Sequence, residues 1–143
     1  MEPEVFNSMI DDMAKRVNDL KIDKIAAIES RGFIFGAPLA AKLGKPFVPV
    51  RKPGKLPYKT IRYDYTLEYG KDAVEMHSDA IVAGDKVLLV DDLLATGGTI
   101  EAAANLVKKC GGSVAAFVFA IELDFLKGKQ RLNNSRVESI IKY

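Results

Sequence analysis

The chain has 143 residues, 48% of them hydrophobic, with one cysteine, one histidine and a formal net charge of +2 at pH 7. That size suits one buried core, so residues 1–143 read as a single domain, with neither linker nor repeat in view. The composition argues against several classes: there is no apolar run of about 18 residues to span a membrane, no N-terminal signal-type stretch, no zinc set in one histidine and one cysteine, and too little net charge for a nucleic-acid partner. A soluble, cytoplasmic protein is the expectation.

Val5, Phe6, Met9, Ile10, Met13, Val17 and Leu20 recur at helical spacing, which predicts an amphipathic helix over residues 3–20 with Pro3 in its first turn. A buried strand over 24–28, a helix over 33–43 and a strand over 47–50 follow. Residues 51–66 are polar, carry Pro53, Gly54 and Pro57, and hold five cations, Arg51, Lys52, Lys55, Lys59 and Arg62. They read as a long functional loop or lid. Residues 67–69 and 73–77 are expected to pair as a small hairpin through Gly70-Lys71-Asp72. His77 reads as structural. A strand over 87–91, a helix from Gly98 to about Cys110, a strand over 113–121 and a last strand over 137–141 complete the chain. This alternation predicts an α/β fold with a mainly parallel sheet flanked by helices. Cys110 reads as a small buried hydrophobe rather than a nucleophile.

The most informative stretch is Val87-Leu88-Leu89-Val90-Asp91-Asp92-Leu93-Leu94-Ala95-Thr96-Gly97-Gly98-Thr99. Four apolar residues suit a strand covered on both faces, and the turn after them stands at its carboxyl end, where open α/β sheets bind ligands. In the Ala95–Thr99 turn, Gly97 and Gly98 let backbone N–H groups approach an anion, Thr96 and Thr99 add hydroxyl donors, and the helix N-terminus adds its dipole. Asp91 and Asp92 cannot serve that anion. As paired acceptors they fit a vicinal diol one ribose length from a 5′-phosphate. The stretch is neither a Walker A loop nor a dinucleotide fingerprint. The bland alternative is a strand end followed by an ordinary turn.

An acidic pair followed by Thr-Gly-Gly-Thr is the phosphoribosyl diphosphate signature, and the chain resembles the type I phosphoribosyltransferases. Glu29-Ser30-Arg31-Gly32-Phe33-Ile34-Phe35-Gly36-Ala37-Pro38, Arg51-Lys52-Pro53-Gly54-Lys55-Leu56-Pro57 and Leu67-Glu68-Tyr69-Gly70 narrow the likeness to the adenine phosphoribosyltransferases, over residues 3–143. The resemblance implies a Rossmann-like parallel sheet with a flexible lid. It also implies transfer of ribose 5-phosphate from phosphoribosyl diphosphate to N9 of adenine, giving AMP and pyrophosphate. Asp91 and Asp92 would face the oxocarbenium character of the ribose, and cations would face the leaving diphosphate. Those cationic and amide donors would be Ser30, Arg31, Gly32, Arg51, Lys52 and Lys55, with the basic segment also reaching a neighbouring subunit.

Glu68 would be the acid/base residue and Tyr69 would help close the lid over the sugar. Leu123 would pack on the adenine face or, equally, belong to the core. Magnesium would be bound mainly through diphosphate oxygens, with no assigned protein ligand, and the chain would form a homodimer.

Two departures from the family pattern stand out. Family members begin some thirty residues earlier with a Phe-x-Asp-Ile-Thr-like hood over the base, which this sequence does not show, and Tyr58 stands where a glycine usually follows Leu-Pro. Base recognition is therefore the part least carried by the residues. The alternatives are a transferase for hypoxanthine or xanthine, and a non-catalytic nucleotide-sensing domain of the same fold.

Overall fold

The computed structural model describes residues 2–67 and 69–143. In chain order the elements are α1 (Pro3–Arg16), β1 (Lys24–Ile28), α2 (Gly32–Leu43), β2 (Phe47–Val50), β3 (Thr60–Leu67), β4 (Gly70–His77), β5 (Lys86–Leu94), α3 (Gly98–Lys109), β6 (Ser113–Glu122) and β7 (Val137–Lys142). A five-stranded sheet runs in the order β2-β1-β5-β6-β7, and every pairing in it is parallel. The hairpin β3–β4 is antiparallel and forms a second, two-stranded sheet.

The two-residue period of the strands explains the continuous apolar runs. Ile25, Ala27, Leu88 and Val90 face α1 and α2, whereas Ala26, Ile28, Val87 and Leu89 face α3 and the hairpin, so both sides of one strand are buried. Each buried branched side chain of this kind contributes about 1.5 to 3 kcal/mol. Because β1 and β5 are neighbours and both lead into helices, their carboxyl ends open side by side at the sheet edge that carries the glycine- and acid-rich turns.

The structure departs from the sequence reading in four places. The first helix ends at Arg16, and the expected last turn is non-helical, although Val17 stays buried from its C-cap position. Apolar spacing reported burial there, and burial continues past the helix. Strand β5 runs three residues beyond Asp91, pairing through Leu93 and Leu94 with β6, so both acids lie within extended backbone.

The third departure is the hairpin, which is longer than expected. Thr60–Leu67 pairs with Gly70–His77, so Gly70-Lys71-Asp72 belongs to a strand rather than to the turn, and only 51–59 remain loop. The polar composition of 60–67 concealed a strict alternation: Ile61, Tyr63 and Tyr65 pack on the α3 side of the core, and Arg62, Asp64 and Thr66 face outward. Finally, two short 3-10 turns, Asp124–Leu126 and Gly128–Leu132, link β6 to β7. No helix among the described residues is long and apolar enough to cross a membrane.

Candidate active site

A cleft of about 380 Å³ opens at the carboxyl ends of β1 and β5, lined by residues of the turn after β1, by Lys52, and by 91–100. On its first wall β1 gives way to Glu29 and Ser30, joined by a cis peptide bond, and α2 starts at Gly32. Arg31 reaches out from this turn, its side chain 70% exposed, and its Nε donates to Asp92 Oδ2 at 2.5 Å. Gly32 lies directly against the second wall: a Cβ there would stand 2.8 Å from Asp91 Oδ1. Any side chain at this position would displace the carboxyl group.

Asp91 and Asp92 are adjacent on β5 but differ in surroundings. Asp91 Oδ1 accepts the backbone N–H of Asp92 at 2.9 Å. Burial, reinforced by the neighbouring Asp92 charge and only partly offset by that hydrogen bond, pushes the Asp91 carboxyl up to about 7. The pair is thus asymmetric, with one acid engaged by a guanidinium and the other turned inward.

After Leu94 the chain turns through Ala95, Thr96 and Gly97 into α3. Gly97 has φ +83°, and a Cβ there would meet the Gly128 carbonyl oxygen at 2.7 Å, so glycine is required both by conformation and by space. The turn between β6 and β7 therefore backs the loop, a contact that no local pattern around residue 128 announced. The Gly97 carbonyl accepts from Glu101 N–H at 3.0 Å, which starts the α3 ladder and leaves the first N–H groups of α3 at the cleft end of the helix. Thr99 Oγ1 stands 3.3 Å from Tyr65 Oη of the hairpin.

The basic segment divides in two. Lys52 lines the cleft, its ammonium paired with Asp72, 3.2 Å from Tyr65 Oη and 5.7 Å from the centre of the Tyr65 ring. Arg51 and Lys55 are not brought into the cleft. Arg51 donates to Glu29 Oε2 through Nε and Nη2 at 3.1 and 3.0 Å, Lys55 Nζ stands 3.4 Å from the same oxygen, and Lys52 N–H donates to Glu29 Oε1 at 2.5 Å. Burial opposes ionisation of Glu29, but the hydrogen bonds from Lys52 N–H, Arg51 and Lys55 outweigh it and hold the carboxyl below its ordinary range. The expectation of a diphosphate cluster missed this anchor because it counted cations and not the buried acid that collects them. An acid beside Ser30-Arg31, with no phosphate role open to it, was the available signal.

Other expected positions lie outside this cleft. Tyr69 is 98% exposed at the hairpin tip. Leu123 is half-buried just past β6, its N–H donating to the Leu94 carbonyl at 2.9 Å, and it does not line the cleft. Glu68 lies outside the described residues. His77 Nε2 stands 2.9 Å from the Pro57 carbonyl and ties the hairpin to the loop. Cys110 is half-buried against the α3 side of the core, and burial pushes its thiol up, away from nucleophile chemistry.

Residues 4–141 match the phosphoribosyl transferase domain family. The adenine phosphoribosyltransferase of Maridesulfovibrio salexigens is 56% identical over 140 residues, which cover 98% of this chain and 82% of that protein. The crystal structure of adenine phosphoribosyltransferase from Thermoanaerobacter pseudethanolicus superposes with a TM-score of 0.97 at 53% identity, over 99% of this chain and 83% of that one. The Saccharomyces cerevisiae enzyme, crystallised with an imino-altritol bisphosphate and adenine, superposes at 0.89 with 43% identity, over 97% of this chain and 81% of that one.

Proposed function

This chain belongs to the phosphoribosyl transferase family and, within it, to the adenine phosphoribosyltransferases, and from that premise we propose how its cleft transfers ribose 5-phosphate from phosphoribosyl diphosphate to adenine, giving AMP and pyrophosphate. The observation that carries the mechanism is the opposition of chemistries across one cleft. Two carboxylates on β5 share one cleft with a loop of N–H and hydroxyl donors at the α3 N-terminus and with the cations Arg31 and Lys52, Arg31 paired with Asp92.

The 5′-phosphate sits on Ala95, Thr96, Gly97, Gly98 and Thr99, where backbone donors and the helix dipole meet its charge. Asp91 and Asp92 accept the ribose hydroxyls and lie beside the ring as the C1–O bond breaks and positive charge develops there. On the other side, the Ser30 and Gly32 amides, Arg31 and Lys52 hold the departing diphosphate. Arg31 exchanges Asp92 for phosphate oxygens as it does so. Arg51 and Lys55 support this wall by gripping Glu29 and thereby fixing the loop that carries Lys52. Glu68 moves the purine proton, Tyr69 covers the sugar from the hairpin tip, and Leu123 packs on the base.

Magnesium is the cofactor the family implies. Among the described residues no group of three histidine, cysteine or acidic side chains stands ready to hold a cation, and this donor set fits a metal that would be carried mainly by substrate oxygens, with Asp91 and Asp92 the nearest protein acids in the cleft. When bound it neutralises charge gathering on the leaving diphosphate.

We further propose that residues 1–143 act as one domain, that the chain works as a homodimer, and that it resides in the cytoplasm. Core clusters on both faces of one sheet support the first, the exposed basic segment 51–59 and the common state of the family support the second, and the lone Cys110 agrees with the third. Sedimentation of the purified chain checks the dimer.

The deciding experiment measures AMP formation from adenine and phosphoribosyl diphosphate with magnesium, against hypoxanthine and xanthine, alongside calorimetric titration with AMP. Turnover with adenine alone is the expected result. Binding of AMP with no turnover on any base would convert the reading to a nucleotide sensor.

A further inference from the structure

Lys52 is held at its two ends by different elements. Its backbone N–H donates to Glu29 Oε1 at 2.5 Å, on the wall that follows β1. Its side chain lines the cleft, and there the hairpin holds the ammonium, which pairs with Asp72 of β4 and donates to Tyr65 Oη of β3 at 3.2 Å. Tyr65 and Asp72 are cross-strand partners, 3.1 Å apart from hydroxyl to carboxylate Oδ2, so a single rung of the hairpin makes the grip. The backbone prepares this meeting. Arg51 exchanges two main-chain hydrogen bonds with Glu75 of β4, at 2.9 and 2.7 Å, and so lays the next residue alongside that strand.

An ammonium has three N–H donors, and the grip uses two of them, one on the carboxylate and one on the tyrosine oxygen, which leaves the third for a ligand in the cleft. Burial pushes the Lys52 ammonium toward neutrality, but its hydrogen bonds to Asp72 and Tyr65 outweigh burial and hold it above the ordinary lysine range. Asp72 is fixed in turn. Its Oδ1 accepts the Ala73 N–H at 2.8 Å, and the hydrogen bonds it receives from Lys52, Ala73 and Tyr65 keep it ionised against burial. A flexible, strongly hydrated side chain thus becomes one charged donor in one place. The Tyr65 proton reaches Asp72 Oδ2 or Thr99 Oγ1, at 3.1 and 3.3 Å. Either choice leaves the Thr99 proton free for a 5′-phosphate, so the seated hairpin suits an occupied loop.

We propose that Asp72 is a positioning residue for the diphosphate: together with Tyr65 it aims the Lys52 ammonium at the leaving group, so that seating the hairpin and holding the diphosphate are one event. The inference rests on the reading of Lys52 as a diphosphate ligand. It differs in kind from the Arg31–Asp92 pair, where the acid itself lines the cleft and substrate takes its place. Asp72 does not line the cleft, so a diphosphate reaches Lys52 without displacing it. The hairpin that carries Tyr69 toward the sugar is thereby set by the same side chain that meets the departing group.

The test compares the wild-type chain with Asp72→Asn, which keeps the shape and can still accept the Ala73 N–H but loses the charge. Pyrophosphate with magnesium and AMP are titrated separately by calorimetry. Asp72→Asn should bind pyrophosphate about ten-fold more weakly, the order of one charge-assisted hydrogen bond, and AMP within about two-fold of wild type, because AMP brings no diphosphate to Lys52. Tyr65→Phe keeps the ring and removes the other partner of the ammonium; it should weaken pyrophosphate about three-fold, and it decides the matter in the same direction should Asp72→Asn not fold. In a Lys52→Met background neither substitution should weaken pyrophosphate further. Equal losses for pyrophosphate and AMP would make Asp72 a general prop of the fold, and unchanged or tighter pyrophosphate binding would make it a bystander or a competitor for Lys52. Each of these overturns the proposal and leaves the site reading intact, so long as Lys52→Met itself loses pyrophosphate affinity. A Lys52→Met chain that binds pyrophosphate like wild type would overturn both.

Discussion

Arg31 and Asp92, 61 positions apart, join the two walls of the cleft, with Nε donating to Oδ2 at 2.5 Å. A cation meant for phosphate and an acid meant for a sugar hydroxyl thus satisfy each other across the site. The parallel neighbours β1 and β5 make the meeting possible, because both deliver their next residues to the same edge. Substrate then has to replace one ion pair by two better-matched contacts, which favours a ligand carrying both a diol and a diphosphate.

Replacing Asp91 and Asp92 together by Asn tests the role of charge beside the ribose. The fold and the affinity for ribose 5-phosphate should change little, while kcat should fall by about a hundred-fold or more. Steady-state kinetics on the double variant checks this. Activity within a few-fold of wild type would remove charge stabilisation from the mechanism.

The raised Asp91 value predicts the sign of a stability change with pH. Its ordinary value is 3.8 and its folded value about 7, so between these the folded chain holds a proton that the unfolded chain has lost. Stability contributed by the neutral form is full below about pH 4 and declines as pH rises through 7, by on the order of 2 to 4 kcal/mol in all. Asp91→Asn should flatten that decline. Urea unfolding of both chains at pH 5 and pH 8 measures it, and parallel curves would mean that Asp91 is ionised throughout.

Glu29→Gln removes the charge that collects Arg51, Lys55 and the Lys52 amide while preserving shape. With the carboxylate side chain 7% exposed but Arg51 and Lys55 at 33% and 52%, the loss is discounted for solvent to about 1 to 3 kcal/mol. Pyrophosphate affinity should fall with it, since the Lys52 loop loosens. Thermal unfolding and pyrophosphate titration should move together; a destabilised chain with unchanged pyrophosphate binding would separate Glu29 from the site.

Glu68→Gln should reduce the chemical step by about a hundred-fold while leaving AMP affinity within a few-fold, as expected for proton transfer rather than ground-state contact. Single-turnover rates beside AMP titration distinguish these. Equal losses in both would make Glu68 a residue that positions the base.

The sequence alone determined the alternation of strands and helices, the buried runs at 25–28 and 87–90, and the loop at 95–99, because hydrophobic period, glycine punctuation and capping are local properties. It also carried the family, through motifs that are contiguous in the chain. Tertiary structure decided what those local signals cannot encode. Tyr63 and Tyr65 became strand because α3 offers them a surface, although the segment around them is polar. Arg51 and Lys55 were drawn out of the cleft by Glu29, an acid more than twenty positions away. Asp91 and Asp92, identical neighbours in sequence, were made different acids by which side of β5 each faces, one toward Gly32 and the interior, the other toward Arg31 and solvent. Charge, unlike hydrophobic period, takes its meaning from groups brought near in space, and only the fold brings them there.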